Sequence, residues 1–209
     1  MATSTAAHVP SPEATDAMLQ THLHTKMESP FLVDKVVPDL IKQEPGQVAA
    51  LRLSLQADTV INPGDVVDAD IAYKSEIILD WKPGKDALYT ILMVHLSPVN
   101  EPKREWLNWL TINAPALDLD KGKTLFEYES VKFVERGGSH RIVLLVFEQE
   151  RELDADAILR RIQGAEDATD SRDKFKTQEF INNLDLNVPV AGNFFLVSHP
   201  DLAPSHSES

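Results

Sequence analysis

The spacing of hydrophobic residues changes character along the chain, and strand-type patterns fill its middle. "ALRLSL" alternates apolar and polar residues with a period of two, which predicts a strand with one wet face. "HRIVLLVFEQ" is apolar at successive positions, a pattern typical of a central strand buried on both faces. Four further runs are predicted as strand material: "VVDADIAYKSEIILDW", "ALYTILMV", "EWLNWLTIN" and "KTLFEYESVKFV".

Helical spacing follows the strands. In "DADAILRRIQGAEDA", Ile158, Leu159 and Ile162 lie at helix spacing, and Gly164 is the predicted stop. "SRDKFKTQEFINNLDL" predicts a second helical segment, and "VPVAGNFFLV" returns to a strand. A short helical segment, "PFLVDKVVPDLI", precedes the strands. Strands followed by helices indicate a mainly antiparallel β domain with helices against one face or end.

The two ends of the chain differ from this central part. Residues 1–27 are predicted to be a mostly mobile extension, with one marginal helix that starts at Ser11-Pro12-Glu13. Its thin apolar stripe consists of Ala14, Met18, Leu19 and Leu23. We expect one folded domain over residues 28–203 and a disordered tail over residues 204–209.

Charge and composition narrow the classes of partner. The 209 residues contain 20 Lys and Arg against 33 Asp and Glu, a net charge of −13. Such a surface disfavours nucleic acid and bulk anionic membrane as partners. Cysteine is absent, so disulfides and thiolate chemistry are excluded. No apolar run approaches the length of about 20 residues that a membrane-spanning helix needs, and no secretory signal is evident, so we expect a cytoplasmic protein that is not integral to a membrane.

Several motifs taken together resemble the phosphatidylethanolamine-binding protein family, whose members are also known as kinase-inhibitor or flowering-locus-like proteins. The motifs, in order, are "DKVVPDLI", "ALYTILMV", "REWLNWL", a Gly-Lys-Thr-Leu-x-x-Tyr stretch, Gly138-Ser139-His140-Arg141, "VLLVFEQ" and "DKFKTQEFINNLDLNVPVAGNFFLV". The resemblance runs from about Leu32 to about Leu202. Their combination and order carry the resemblance, because no single motif is specific.

The resemblance implies a fold and a range of functions. The fold is a large antiparallel sheet packed on a smaller sheet, with C-terminal α-helices and short N-terminal helices. In that family a small pocket binds phosphate-type anions such as phospholipid head groups. Its members bind lipids or small ligands, inhibit proteases, or regulate kinases and transcription factors. It is not an established enzyme family, so we expect no catalytic activity and no cofactor.

The pocket motifs of the family are only partly present. Where the family has Asp-Pro-Asp-Ala-Pro, this chain has the shorter His95-Leu96-Ser97-Pro98, so both acids are replaced. Asn108 stands where the family has a pocket histidine, Ile142 stands at a family tyrosine, and the bulky residues 130–134 replace a Gly-Ser-Gly-Pro-Pro loop. The resemblance assigns the remodelled pocket to His95, Ser97, Pro98, Trp106, Asn108, Gly138, His140 and Ile142.

These replacements predict a degenerate anion site. Loss of two or three charge-assisted hydrogen bonds, at about 1.5–3 kcal/mol each, lowers the affinity for an anion by a few orders of magnitude. His95 would compensate in part by supplying a cation. We therefore expect a protein partner to carry the function. A carrier of a lipid, of a small hydrophobic ligand, or of a phospholipid head group with altered specificity is the alternative.

Other chemistry at these residues stays open from the sequence. His95 and His140 could face each other and hold an anion or a metal, although two imidazoles alone are a weak metal signal. Ser97, His140 and Asp118 could be drawn as a hydrolase triad, although no Gly-x-Ser-x-Gly motif is present. Arg141 is expected to form a structural ion pair with one of the many acids rather than to bind a phosphate. Trp106 and Trp109, three residues apart, are expected to point to opposite faces of their strand.

Overall fold

The structure is a computed structural model that describes residues 28–53, 59–84, 86–115, 118–130, 138–163 and 171–199. Its strands are β1 (Ala50–Leu53), β2 (Thr59–Ile61), β3 (Asp65–Asp68), β4 (Ile77–Asp80), β5 (Leu88–Leu96), β6 (Glu105–Pro115), β7 (Lys123–Phe126), β8 (Gly138–Gln149) and β9 (Ala191–His199). Its α-helices are α1 (Pro30–Val33), α2 (Val36–Asp39), α3 (Ala69–Lys74), α4 (Ala155–Gln163) and α5 (Thr177–Asn183). Two 3₁₀ turns cover Leu119–Lys121 and Arg172–Lys174.

Two sheets form the framework. The large sheet has the strand order β3-β9-β8-β5-β6-β7, and the small sheet has the order β2-β1-β4. All described pairings are antiparallel except that of β3 with β9, which is parallel. The predicted mainly β fold with a large and a smaller sheet is confirmed.

The core lies on both faces of the large sheet. On one face, Val143, Leu145 and Phe147 of β8 pack with side chains of the helices. On the other face, Leu144 and Val146 pack against the small sheet. Because the side chains of a strand alternate between faces, a strand covered on both sides must be apolar throughout, which explains the unbroken run in β8.

One predicted strand run was wrong in its middle. "VVDADIAYKSEIILDW" forms β3, then helix α3, then β4. The helix starts there because the Asp68 carboxylate accepts hydrogen bonds from the backbone N–H groups of Asp70 (2.8 Å) and Ile71 (3.4 Å). This is an N-cap within a segment whose composition predicts strand material.

Some sequence predictions fall outside the described residues. They include the extension 1–27 with its helix, the tail 204–209, the stop at Gly164 and residues 131–134 of the replaced loop. Helix α4 is described as far as Gln163. In the part of the chain that is described, no helix is long and apolar enough to cross a membrane.

Candidate functional site

His95 and His140 lie side by side on neighbouring strands of the large sheet. His95 of β5 is the direct partner of Ile142 on β8, and His140 lies two residues before Ile142 on the same face. His95 Nε2 and His140 Nδ1 are 2.7 Å apart, a hydrogen-bond distance, and the ring centroids are 4.8 Å apart in an edge-to-face arrangement. One ring therefore donates a proton to the other, and these two nitrogens bind each other.

The environment of His95 keeps its imidazole neutral. Burial is the main cause and the positive charge of His140 the second, and together they lower the pKa of His95 to about 3. At neutral pH His95 is therefore uncharged. The expectation that His95 supplies a cation in place of the lost acid was wrong, because a buried imidazole beside another imidazole loses its charge.

Ser97 holds the turn that joins β5 to β6. Its hydroxyl donates to the carbonyl oxygen of Pro102 (3.0 Å) and accepts from the backbone N–H of Arg104 (3.0 Å). Its backbone N–H donates to the Arg104 carbonyl oxygen (3.1 Å). These bonds explain why a serine follows the strand, and they give its hydroxyl a structural role.

Pro98 packs against Gly138, the first residue of β8. A Cβ added to Gly138 would lie 2.8 Å from Pro98 Cγ, and Gly138 has a φ of +121°. Both the close approach and the backbone angle favour glycine at this position. The contact fixes the end of β8 against the turn that carries Ser97.

Arg141 is buried, with 1% of its surface exposed, and it ties the N-terminal segment to the same turn. Its Nε and Nη2 donate to the Ser97 carbonyl oxygen (3.1 and 2.7 Å). Its Nη1 donates to the Asp39 carboxylate (2.7 Å) and to the carbonyl oxygens of Asp34 and Lys35 (3.1 and 3.0 Å). The expected structural ion pair is thus formed, with Asp39 as its acid.

The two tryptophans of β6 lie on the same face, contrary to the sequence expectation. Trp106 is opposite His95 and Trp109 is opposite Met93, although the tryptophans are three positions apart in sequence and their partners two. The extra residue is a β-bulge, so Asn108 has no partner on β5. Trp106, half-buried, is therefore on the face of the two histidines.

Asn108, the extra residue of this bulge, binds the segment that follows β7. Its side-chain Nδ2 donates to the Glu129 carbonyl oxygen (2.9 Å), and its own carbonyl oxygen accepts from Glu129 N–H (2.8 Å) and Arg172 Nη1 (3.1 Å). Its Oδ1 is buried without a partner. Sequence reasoning missed Arg172, which also binds the Leu107 and Glu127 carbonyl oxygens, and no local pattern marks it.

Ile142 places an apolar group between the strands at the position where the resemblance implies a tyrosine. It is 1% exposed, lies between His95 on β5 and Phe195 on β9, and belongs to the cluster between the two sheets. The structure therefore brings His95, Trp106, His140 and Ile142 together on one face. Ser97 and Pro98 belong to the adjoining turn, and Gly138 at the start of β8 packs against it.

No family model matches the chain, although known proteins are similar to it in sequence. "Putative odorant-binding protein A5" of Drosophila melanogaster is 29% identical over 164 residues, covering 77% of this chain and 75% of that protein. "Protein BROTHER of FT and TFL 1" of Arabidopsis thaliana is 25% identical over 170 residues, covering 79% of this chain and 89% of that protein.

Two solved structures share the fold of this chain. A carboxypeptidase Y inhibitor, solved in complex with its cognate proteinase, superposes with a TM-score of 0.63 at 16% identity, over 81% of this chain and 93% of that one. The phosphatidylethanolamine-binding protein of Plasmodium vivax superposes with a TM-score of 0.56 at 14% identity, over 81% of this chain and 96% of that one. The chain therefore has the fold of the phosphatidylethanolamine-binding proteins, and the sequence matches support its resemblance to that family.

The geometry of the site excludes the triad drawn from the sequence. Asp118 follows Pro115 at the far end of β6, whereas Ser97 lies beside the strand's first residue, Glu105. Eleven residues of strand separate the two by roughly 30 Å. Asp118 pairs instead with Lys121 (2.6 Å).

The described side chains at this site do not include a metal-binding cluster. Within the described ranges, no three or more His, Asp or Glu residues are grouped so that they could hold an ion. The two imidazole nitrogens that face each other are also bonded together.

Proposed function

We propose that this phosphatidylethanolamine-binding protein family member is a non-catalytic binding protein that acts on a protein partner as a regulator, inhibitor or assembly component. The observation that carries the proposal is the His95–His140 hydrogen bond, 2.7 Å long, at the position where the family resemblance implies an anion pocket. The net charge of −13 argues against nucleic acid as the partner, and we take the protein to act in the cytoplasm.

The other polar groups at this end support the same proposal. The Ser97 hydroxyl binds Pro102 and Arg104, and the Arg141 guanidinium binds Ser97, Asp39 and the N-terminal segment. An anion that used the Ser97 hydroxyl would have to displace its two bonds. Each of these neutral bonds contributes about 0.5–1.5 kcal/mol, so their loss would weaken the binding of a head group.

Exposed apolar side chains at the same end favour a protein partner. Leu32 and Val33 of α1 are 39% and 59% exposed, and Val99 after β5 is 36% exposed. Arg141 binds the carbonyl oxygens of both Asp34 and Ser97, so its guanidinium holds the two segments together. The structural relative named above as a carboxypeptidase Y inhibitor was solved bound to a proteinase, so a chain of this fold can engage a protein.

A capture experiment with matched variants tests this proposal. The experiment isolates the same partner from source cells with three forms of the protein. They are the full chain, the His140→Asn variant and the double variant Val33→Asp/Val99→Asp. Val60→Asp is the control, since Val60 is 57% exposed on the small sheet and matches Val33. We expect the partner to bind the full chain, His140→Asn and Val60→Asp, and to be lost with Val33→Asp/Val99→Asp. Loss with His140→Asn alone would overturn the proposal.

A thermal-shift measurement tests the role of the pocket itself. We expect millimolar phosphoethanolamine to leave the melting temperature unchanged, because a ligand stabilises a protein only in proportion to its binding. A clear rise that disappears in His140→Asn would show a working anion site and contradict the proposal.

A carrier of small hydrophobic ligands is the second candidate. It is favoured by Ile142, which is apolar beside the two histidines, and by the relative whose name includes "odorant-binding". Native mass spectrometry of the purified full chain decides between the two. A co-purified lipid that is lost with Ile142→Thr supports the carrier, whereas a ligand-free mass supports protein binding.

A further inference from the structure

A groove between α4 and α5 lies on the helical face of the large sheet, away from the histidines. Its floor is formed by Ile158, Phe175 and Phe180, which are at most 7% exposed. Half-buried Ile162 and Leu184 line its sides. The groove therefore presents apolar surface between two helices, the arrangement into which amphipathic helices dock.

The rim of this groove is more basic than the chain as a whole. Arg161 and Lys176 are both exposed on the rim, and Glu179 is its acid. The formal charges of these three side chains sum to +1, whereas the net charge of the chain is −13. The rim therefore favours an occupant that carries acids beside its apolar side chains.

The N-terminal segment of the same chain has that chemistry. From Ser11 to Leu23 it has an N-cap, a proline at the first helical position and the apolar stripe defined above. Its two acids, Glu13 and Asp16, are three residues apart, so a helix would place them on one flank of the stripe. It contains no Lys or Arg.

The path of the chain brings this segment within reach of the groove. The described part begins at Glu28, and Phe31 packs on Phe194 of β9 in the cluster that also contains the groove floor. Helix α5 lies over β6, because Glu105 accepts a hydrogen bond from Thr177 N–H (2.7 Å). Three strand spacings from β9 to β6 make about 14 Å, which four or five extended residues span.

We propose that residues 11–23 form an amphipathic helix that docks in cis into the α4–α5 groove. Met18, Leu19 and Leu23 cover its apolar floor, and Glu13 and Asp16 face Arg161 and Lys176. A covalent tether raises the effective concentration of the segment to the millimolar range, so a modest apolar contact suffices for docking.

Disulfide trapping in the full chain tests this docking, since the native chain has no cysteine. Leu19→Cys combined with Asn183→Cys, on the groove rim, should cross-link within one molecule about tenfold faster than Leu19→Cys with Ile78→Cys on the small sheet. Adding Met18→Asp and Leu23→Asp should remove the difference. Equal rates for the two pairs would overturn the proposal, and so would cross-links between molecules, which would assign the groove to a second copy.

Charge reversal on the groove rim provides an independent test of the docking. Arg161→Glu/Lys176→Glu should slow the trapping about fivefold, and adding Glu13→Lys/Asp16→Lys should restore it. Arg160→Glu is the matched control, because Arg160 is exposed on α4 but does not line the groove. A control that slows trapping equally, or a double reversal that fails to restore it, would contradict the charge pairing.

Discussion

Arg141 shows how a single side chain that a phosphate could bind is committed to the fold. Its guanidinium satisfies three backbone carbonyl oxygens and the Asp39 carboxylate. The sequence pointed to an ion pair here from the excess of acids, but not to Asp39, which is 102 residues away. Local patterns do not identify such distant partners, because the fold brings them together.

Replacing Arg141 should destabilise the fold strongly. In Arg141→Met the carbonyl oxygens of Asp34, Lys35 and Ser97 and the Asp39 carboxylate lose their donor, and we expect a loss of about 3 kcal/mol in the free energy of unfolding. Urea unfolding measures it. Arg104→Met, an exposed arginine of the adjacent turn, should change stability by less than about 0.5 kcal/mol. Similar effects of the two substitutions would show that the buried arginine is not the tie described here.

His95 should make stability depend on pH on the acid side. The pKa of His95 is about 3 in the folded chain and 6.5 in a model peptide, so the unfolded state binds the proton more tightly. Stability contributed by neutral His95 is therefore complete above pH 6.5 and is lost as the pH falls towards 3, by at most about 1.4 kcal/mol per pH unit. In His95→Gln this part of the slope should disappear from urea unfolding curves recorded across that window. An unchanged slope would mean that His95 is not the titrating group.

At the scale of elements, strands with unbroken patterns were predicted well and irregularities were not. β5 and β8 were recognised because both of their faces are buried. The bulge at Asn108 was missed because it depends on Arg172 and Glu129, which bind the backbone of β6 from elsewhere in the chain. Helix α3 was missed because the cap of Asp68 lies inside a run whose composition predicts strand material.

The contact between the β5–β6 turn and β8 gives an element-scale prediction. Gly138→Ala would place a Cβ 2.8 Å from Pro98 Cγ on a backbone with φ +121°, and we expect a loss of about 1–3 kcal/mol. Adding Pro98→Ala should recover only part of that loss in thermal or urea unfolding, since it removes the Cγ contact but leaves the Cβ of residue 98 at 3.2 Å and the backbone angle unchanged. Full recovery would contradict the contribution of the backbone angle.

At the scale of the whole molecule, the family resemblance and the two-sheet fold could be predicted from the order of several weak motifs; the comparisons support the resemblance and confirm the fold. The state of the pocket could not be predicted to the same extent. The motifs identified the pocket residues. The hydrogen bonds of those residues depend on partners contributed by the N-terminal segment, the β5–β6 turn and β8. The ligand-binding role of these residues stays a prediction.

The imidazole nitrogens of His95 and His140 test the central claim most directly. Long-range ¹H–¹⁵N NMR spectra of the full chain would be recorded as phosphoethanolamine is added to millimolar concentration at neutral pH. We predict that the hydrogen bond between His95 Nε2 and His140 Nδ1 is unchanged throughout the titration. Saturable loss of that bond as phosphoethanolamine is added would show that the two rings separate to bind an anion and would contradict the account.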